Sequence, residues 1–130
     1  MNHLELFSGI GGFRRAMELI QNDGLMPFSN VGYSEINDRA ATTYRANYDT
    51  SHEIEIGDIV NFTSNPVNIK KLPRIDILTG GFPCQAFSMM GNMMGFEEDR
   101  GQMFFRIMDI VNIKKPKYLL LENVKNLLVH

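Results

Sequence analysis

Five short apolar runs, separated by stretches of helical periodicity, constrain this 130-residue chain more than any other feature. The runs are Leu4 to Phe7, Asn30 to Ile36, His52 to Ile56, Ile75 to Leu78 and Tyr118 to Leu121. Between the first two, Phe13 to Gln21 sets Phe13, Ala16, Met17 and Ile20 on one helical face. Asp38 is the expected cap of a second helix reaching about Tyr48, with Ala40, Ala41, Tyr44 and Tyr48 on its apolar side. Gly101 to Lys114 turns Met103, Phe104, Ile107, Ile110 and Val111 inward. Asn61 to Arg74 is polar, and Pro66 and Pro73 argue against a long helix there. Strands alternating with helices predict an α/β fold, a mostly parallel sheet with helices on both faces and right-handed crossovers. One domain with a real core fits this length. Asn126 to His130 begins an element that the sequence does not finish, so the sheet is expected to be incomplete at the C-terminus.

Composition narrows the partners. Lys plus Arg total 13 and Asp plus Glu 15, which is not the footprint of a chain that grips nucleic acid unaided. A single cysteine, Cys84, excludes an internal disulfide and a cysteine-based zinc site, and no metal is expected. No apolar run approaches the ~20 residues that span a bilayer. No basic-then-apolar leader follows Met1, so an intracellular, cytoplasmic setting is expected.

In a parallel sheet the carboxyl ends of the strands lie along one edge, where ligands bind. Each of the five runs here ends in a residue with chemistry: the turn Ser8-Gly9-Ile10-Gly11-Gly12, then Glu35, Asp58, Cys84 and Glu122. A dinucleotide fingerprint would need a third glycine where Arg14 stands. The turn therefore reads as bared backbone for a flat or cationic ligand, with an ordinary βα turn as the alternative. Glu35 is placed to take two ribose hydroxyls, and Asp58 to accept from an exocyclic amine. No phosphate-holding loop accompanies them, and a nucleoside without a polyphosphate points to S-adenosylmethionine. Gly80 and Gly81 are expected to turn the backbone sharply, with Pro83 fixing the geometry before Cys84. Glu122 follows Leu119 to Leu121, so it is expected at the end of a buried strand, able to stay protonated beside Cys84. Each residue also has a bland alternative: a small buried hydrophobe for Cys84, a surface carboxylate for Glu35, a turn-forming residue for Asp58, a capping or ion-paired residue for Glu122.

The ordered set resembles the DNA cytosine-5 methyltransferases. Leu6 to Phe13 is similar to the family's first motif, Glu35 to its second-motif acid, and Gly57-Asp58-Ile59 to its third. Gly81-Phe82-Pro83-Cys84-Gln85 resembles the catalytic motif, Gly95 to Phe105 the next, and Glu122-Asn123-Val124 the sixth. The resemblance implies a Rossmann-like S-adenosylmethionine-dependent methyltransferase fold, with residues 1–130 as its cofactor-binding and catalytic portion. It implies that Phe7, Gly9, Ile10, Gly11 and Gly12 shape the cofactor pocket, with Phe7 against the adenine. Glu35 would hold the ribose, and Asp58 and Ile59 would read the adenine edge. Pro83 and Met103 would complete the pocket. Ile36 stands where relatives often carry an aromatic. Cys84 would be the nucleophile toward a cytosine flipped out of duplex DNA, and Glu122 its partner. The family's target-recognition half has no counterpart in the sequence, which implies a partner chain or a longer polypeptide, in a prokaryotic or phage modification system. An RNA cytosine-5 methyltransferase and a non-catalytic S-adenosylmethionine-binding module are the alternatives.

Overall fold

The computed structural model describes residues 1–82 and 101–123. Five strands form one parallel sheet: β1 (Asn2–Leu6), β2 (Ser29–Tyr33), β3 (Ile54–Glu55), β4 (Ile77–Gly81) and β5 (Tyr118–Glu122). Their order across the sheet is β3-β2-β1-β4-β5. The order reverses at β1, so the crevice between β1 and its flanking strands is the topological switch point. Helices α1 (Gly12–Asn22), α2 (Asp38–Asn47), α3 (Ile59–Thr63), α4 (Pro66–Lys70) and α5 (Gly101–Lys114) make the connections.

The central strand divides the molecule. Leu4 and Leu6 point to one face, in register with Leu78 and Gly80 of β4, and pack with Ile59, Ile69, Ile107 and Ile110 in an apolar core. His3 and Glu5 point to the other face and are fully buried. A buried strand with polar residues on one face needs partners for them. Here His3 Nδ1 lies 2.6 Å from Asn30 Oδ1, and Nε2 lies 2.8 Å from Thr79 Oγ1. Burial holds the His3 imidazole down at about 4.

The same face explains one departure from the expected helix pattern. On α1 it is Arg14, not Ala16, that is buried. Its guanidinium pairs with Glu53 at 2.7 Å and lies 4.6 Å from the centre of the Tyr48 ring. A paired, stacked guanidinium tolerates burial that an isolated one does not. On α2, Asn37 rather than Asp38 is the cap: its extended backbone lets Oδ1 accept from Ala40 N at 3.0 Å, while Asp38 is already helical. Two single-turn helices occupy the stretch where no long helix is expected: α3, which begins at Ile59 just before it, and α4, with Pro66 at its start, where a missing N–H costs nothing.

Two expectations near the sheet edge are corrected. Gly80 and Gly81 do not turn the chain; they are in-register strand residues opposite Leu121 and Glu122. What Gly80 supplies is closeness, since a Cβ there would sit 3.3 Å from the Leu6 carbonyl oxygen. Strand β5 is not buried. It is the sheet edge, and Tyr118, Leu119 and Leu120 are 48%, 43% and 53% exposed. Glu122 is exposed with them, so the expected apolar burial of its carboxyl is absent. Among the described residues, no helix is long and apolar enough to cross a membrane.

Candidate cofactor and active site

The strand ends converge as a parallel sheet requires. Phe7 leaves β1 with φ +52°, a left-handed conformation that costs a non-glycine residue roughly 1–2 kcal/mol. The neighbouring strand end holds it there. Phe7 N donates to Ser34 Oγ at 2.9 Å, and Ser8 N donates to the Ser34 carbonyl at 2.8 Å. Gly9 and Gly11 also have positive φ. Gly11 has a second reason to be glycine, since a Cβ would meet Tyr48 Cε2 at 2.6 Å. Tyr48 Oη in turn donates to the Gly11 carbonyl at 3.2 Å.

Glu35, two residues past β2, is the hinge of the arrangement. Its Oε1 accepts from Gly9 N at 2.7 Å and its Oε2 from Asn37 N at 2.9 Å. Each carboxylate oxygen has two lone pairs, so both retain one for a hydroxyl donor. The acid that would bind a ribose thus also fixes the glycine turn. Asp58 caps α3, with Oδ1 accepting from Val60 N at 2.9 Å, which leaves its second oxygen for another donor. The capping alternative and the binding reading are compatible in one side chain.

Two of the cavities at this edge share Phe7 and Gly81. The smaller, about 330 Å³, is lined by Phe7, Glu35, Ile36, Asp58, Ile59 and Met103, together with Ser34, Gly57 and Gly81. Six residues predicted from the sequence therefore meet in one cavity, although they come from four separate parts of the chain. Apolar walls with two carboxylates at one side suit a purine nucleoside, and the volume is of ligand size. The larger cavity, about 470 Å³, lies toward β5 and is lined by Phe7, Gly12, Phe82 and Glu122 among others. Glu122 Oε2 lies 3.7 Å from where a Cβ on Gly81 would stand. The strand carrying Gly81-Phe82 thus runs beside Glu122 immediately before Pro83 and Cys84.

Not every predicted residue lines these cavities. Gly9 reaches them through Glu35. Gly11 lies against Tyr48. Ile10 is 66% exposed and lines neither. Pro83 and Cys84 lie outside the described residues, as do residues 85–100. The sequence reading missed Ser34 and Tyr48, which fix the backbone of the turn. Their signal was faint: a serine just past β2, and a tyrosine taken only for its apolar ring.

Comparison with known proteins agrees with this geometry. The sequence profile described as C-5 cytosine-specific DNA methylase matches residues 1–130. The chain is 42% identical over 130 residues to the type II methyltransferase M.HhaI of Haemophilus parahaemolyticus, covering all of this chain and 36% of that protein. It is 44% identical over 128 residues to the type II methyltransferase M1.ScrFI of Lactococcus lactis subsp. cremoris, covering 98% of this chain and 29% of the relative. It is 40% identical over 127 residues to the orphan methyltransferase M.Rho11sI of Bacillus phage rho11s, covering 98% of this chain and 24% of the relative. The chain therefore spans about a quarter to a third of the length of these curated relatives. Among solved structures, a mutant of DNMT2 from Spodoptera frugiperda superposes with a TM-score of 0.67 at 27% identity, covering 99% of this chain and 37% of that one. On sequence and fold together, the chain belongs to the C-5 cytosine-specific DNA methylase family.

Proposed function

We propose that residues 1–130 are the cofactor-binding and cysteine-bearing portion of an enzyme that methylates carbon-5 of cytosine in DNA. The observation that carries this is the meeting of Phe7, Glu35, Ile36, Asp58, Ile59 and Met103 in one nucleoside-sized cavity beside the strand that leads to Cys84. S-adenosylmethionine supplies an electrophilic methyl group there. Glu35 takes the ribose hydroxyls through its two remaining lone pairs, Asp58 and Ile59 read the adenine edge, and Phe7, Ile36 and Met103 form the apolar walls.

Cys84 and Glu122 supply the activation that cytosine needs. Carbon-5 is a poor nucleophile. The Cys84 thiolate adds to carbon-6, and Glu122, covered by the flipped base and the further polypeptide of the enzyme, donates a hydrogen bond to ring nitrogen 3, which leaves an enamine able to attack through carbon-5. After methylation a water molecule takes the carbon-5 proton, the electron pair of that C–H bond re-forms the 5,6 double bond, and the Cys84 sulfur is expelled as thiolate, which restores aromaticity. A base inside a duplex cannot reach these groups, so the cytosine is flipped out.

The target-recognition half belongs to further polypeptide, in the same chain or a separate one. The near-neutral charge of these 130 residues and the exposed apolar edge of β5 support that assignment. The phage and bacterial relatives and the family description favour DNA over RNA, in a modification system inside a bacterial or phage-infected cell. Trapping on duplex DNA containing 5-fluorocytosine tests the reading, with the recognition half supplied in trans from one of these relatives. A covalent complex that requires S-adenosylmethionine and vanishes in Cys84→Ser is the expected result. Cofactor binding without trapping would instead favour a non-catalytic module.

A further inference from the structure

The buried carboxylate of Glu5 has no part in the chemistry above, yet it lies directly beneath the glycine turn. Helix α1 begins at Gly12, and its N-cap residue Gly11 has no side chain with which to satisfy the first amides. Glu5, one strand away in β1, does so for one of them. Its carboxylate accepts from the Arg14 amide at 3.3 Å. Tyr44 Oη of α2 donates to the other oxygen at 2.9 Å, and Arg14 Nη1 donates to that same Tyr44 oxygen at 3.2 Å. Glu5 is fully buried, and burial pushes its carboxyl up from the ordinary range while these donors pull it back. An uncompensated carboxylate would not survive in such a place, so the Arg14 amide and the Tyr44 hydroxyl, with the Arg14 charge close by, are what retain it.

We propose that Glu5 is a positioning residue for the cofactor site: it caps α1 from the adjacent strand and so fixes the height of the Gly9–Gly12 turn over the sheet. This rests on the S-adenosyl reading of the cavity. The geometry is favourable for the role because the other side-chain ties hold different parts of the turn, and Ser34 holds its start at Phe7. Glu35 holds Gly9 from the β2 side, and Tyr48 holds the Gly11 carbonyl from α2. Tyr44 links Glu5 to the helix that carries Tyr48, so the cap and one of those ties move together.

The test compares Glu5→Gln with Glu53→Gln in the same chain. Glu53 pairs with the Arg14 guanidinium but accepts from none of the first-turn amides of α1. A role confined to stability predicts that both variants lose stability and neither alters ligand affinity beyond that. The positioning role predicts that Glu5→Gln alone weakens S-adenosylhomocysteine binding about tenfold, the scale of losing a helix cap. It also predicts faster amide exchange at Arg14 in Glu5→Gln, and not in Glu53→Gln. Tyr44→Phe, which removes the hydroxyl that donates to Glu5 and accepts from Arg14 Nη1, covers the case in which Glu5→Gln does not fold. It is expected to weaken binding about threefold, with the same amide exchanging faster. Unchanged affinity together with unchanged exchange at Arg14 would overturn the proposal. If the wild-type chain binds no S-adenosylhomocysteine, the cofactor reading fails on its own, and the exchange rates still decide whether Glu5 holds the turn.

Discussion

Glu35→Gln is the perturbation whose size the site geometry fixes best. The carboxylate already accepts from Gly9 N at 2.7 Å and Asn37 N at 2.9 Å, and each oxygen keeps one lone pair for a ribose hydroxyl. A hydrogen bond to a charged group contributes ~1.5–3 kcal/mol. The amide retains one acceptor oxygen and presents donors in place of the other. One hydroxyl contact is lost and one weakened, about 2–3 kcal/mol in all, which corresponds to roughly 30- to 150-fold weaker S-adenosylhomocysteine binding. Calorimetry measures this, but the variant also loosens the turn at Gly9. A double cycle separates the two effects, with the 2′,3′-dideoxy analogue as the second perturbation. The analogue should bind wild type at least about tenfold more weakly than the parent compound, and the penalty should shrink below about threefold in Glu35→Gln. Binding by Glu35→Gln within threefold of wild type, or an undiminished analogue penalty in the variant, would refute the assignment of Glu35 to the ribose.

Three further outcomes follow from the same structure. Gly11→Ala combines a φ of +96° with a Cβ placed 2.6 Å from Tyr48 Cε2, and should cost ~2–4 kcal/mol in denaturant unfolding. Gly12→Ala, with open space around it and ordinary φ, should stay within ~0.5 kcal/mol of wild type. His3 is held down at about 4 from an ordinary 6.5, so the unfolded chain binds the extra proton between those values and stability falls as the pH drops through that window. At ~1.4 kcal/mol per pH unit the His3 contribution is about 3 kcal/mol. It is read as the difference between wild type and His3→Asn from pH 7 to 4, because the raised Glu5 carboxyl contributes with the opposite sign. A flat difference would contradict it.

The parallel sheet and the identity of the pocket residues were legible in the sequence because both rest on local pattern. Alternating apolar runs specify strands, and strand ends in a parallel sheet share an edge whatever lies between them. Glu35 and Asp58 could be assembled on that argument alone, whereas Phe7, Ile36, Ile59 and Met103 were placed by the resemblance to the family's ordered motifs. What the pattern could not supply was tertiary compensation. Arg14 interrupts the apolar face of α1 and is buried all the same, because Glu53 and the Tyr48 ring, far along the chain, receive it. Gly80 and Gly81 looked like turn residues, but the same lack of a side chain serves close strand packing, and composition does not distinguish the two uses. The exposure of β5 was illegible for a different reason. Leu119 to Leu121 have the sequence of a buried strand, and a local apolar run does not say which strand ends up at the edge of the sheet, where β5 lies.

Titration of the isotope-labelled chain with S-adenosylhomocysteine, followed by amide chemical shifts, tests the central claim most directly. The account predicts saturable shifts at Phe7, Gly9, Glu35, Ile36, Asp58, Ile59 and Met103, with α4 and the distal end of α1 unmoved. Saturation with shifts centred elsewhere would contradict it, as would no shift at millimolar ligand in a chain whose dispersion shows it to be folded.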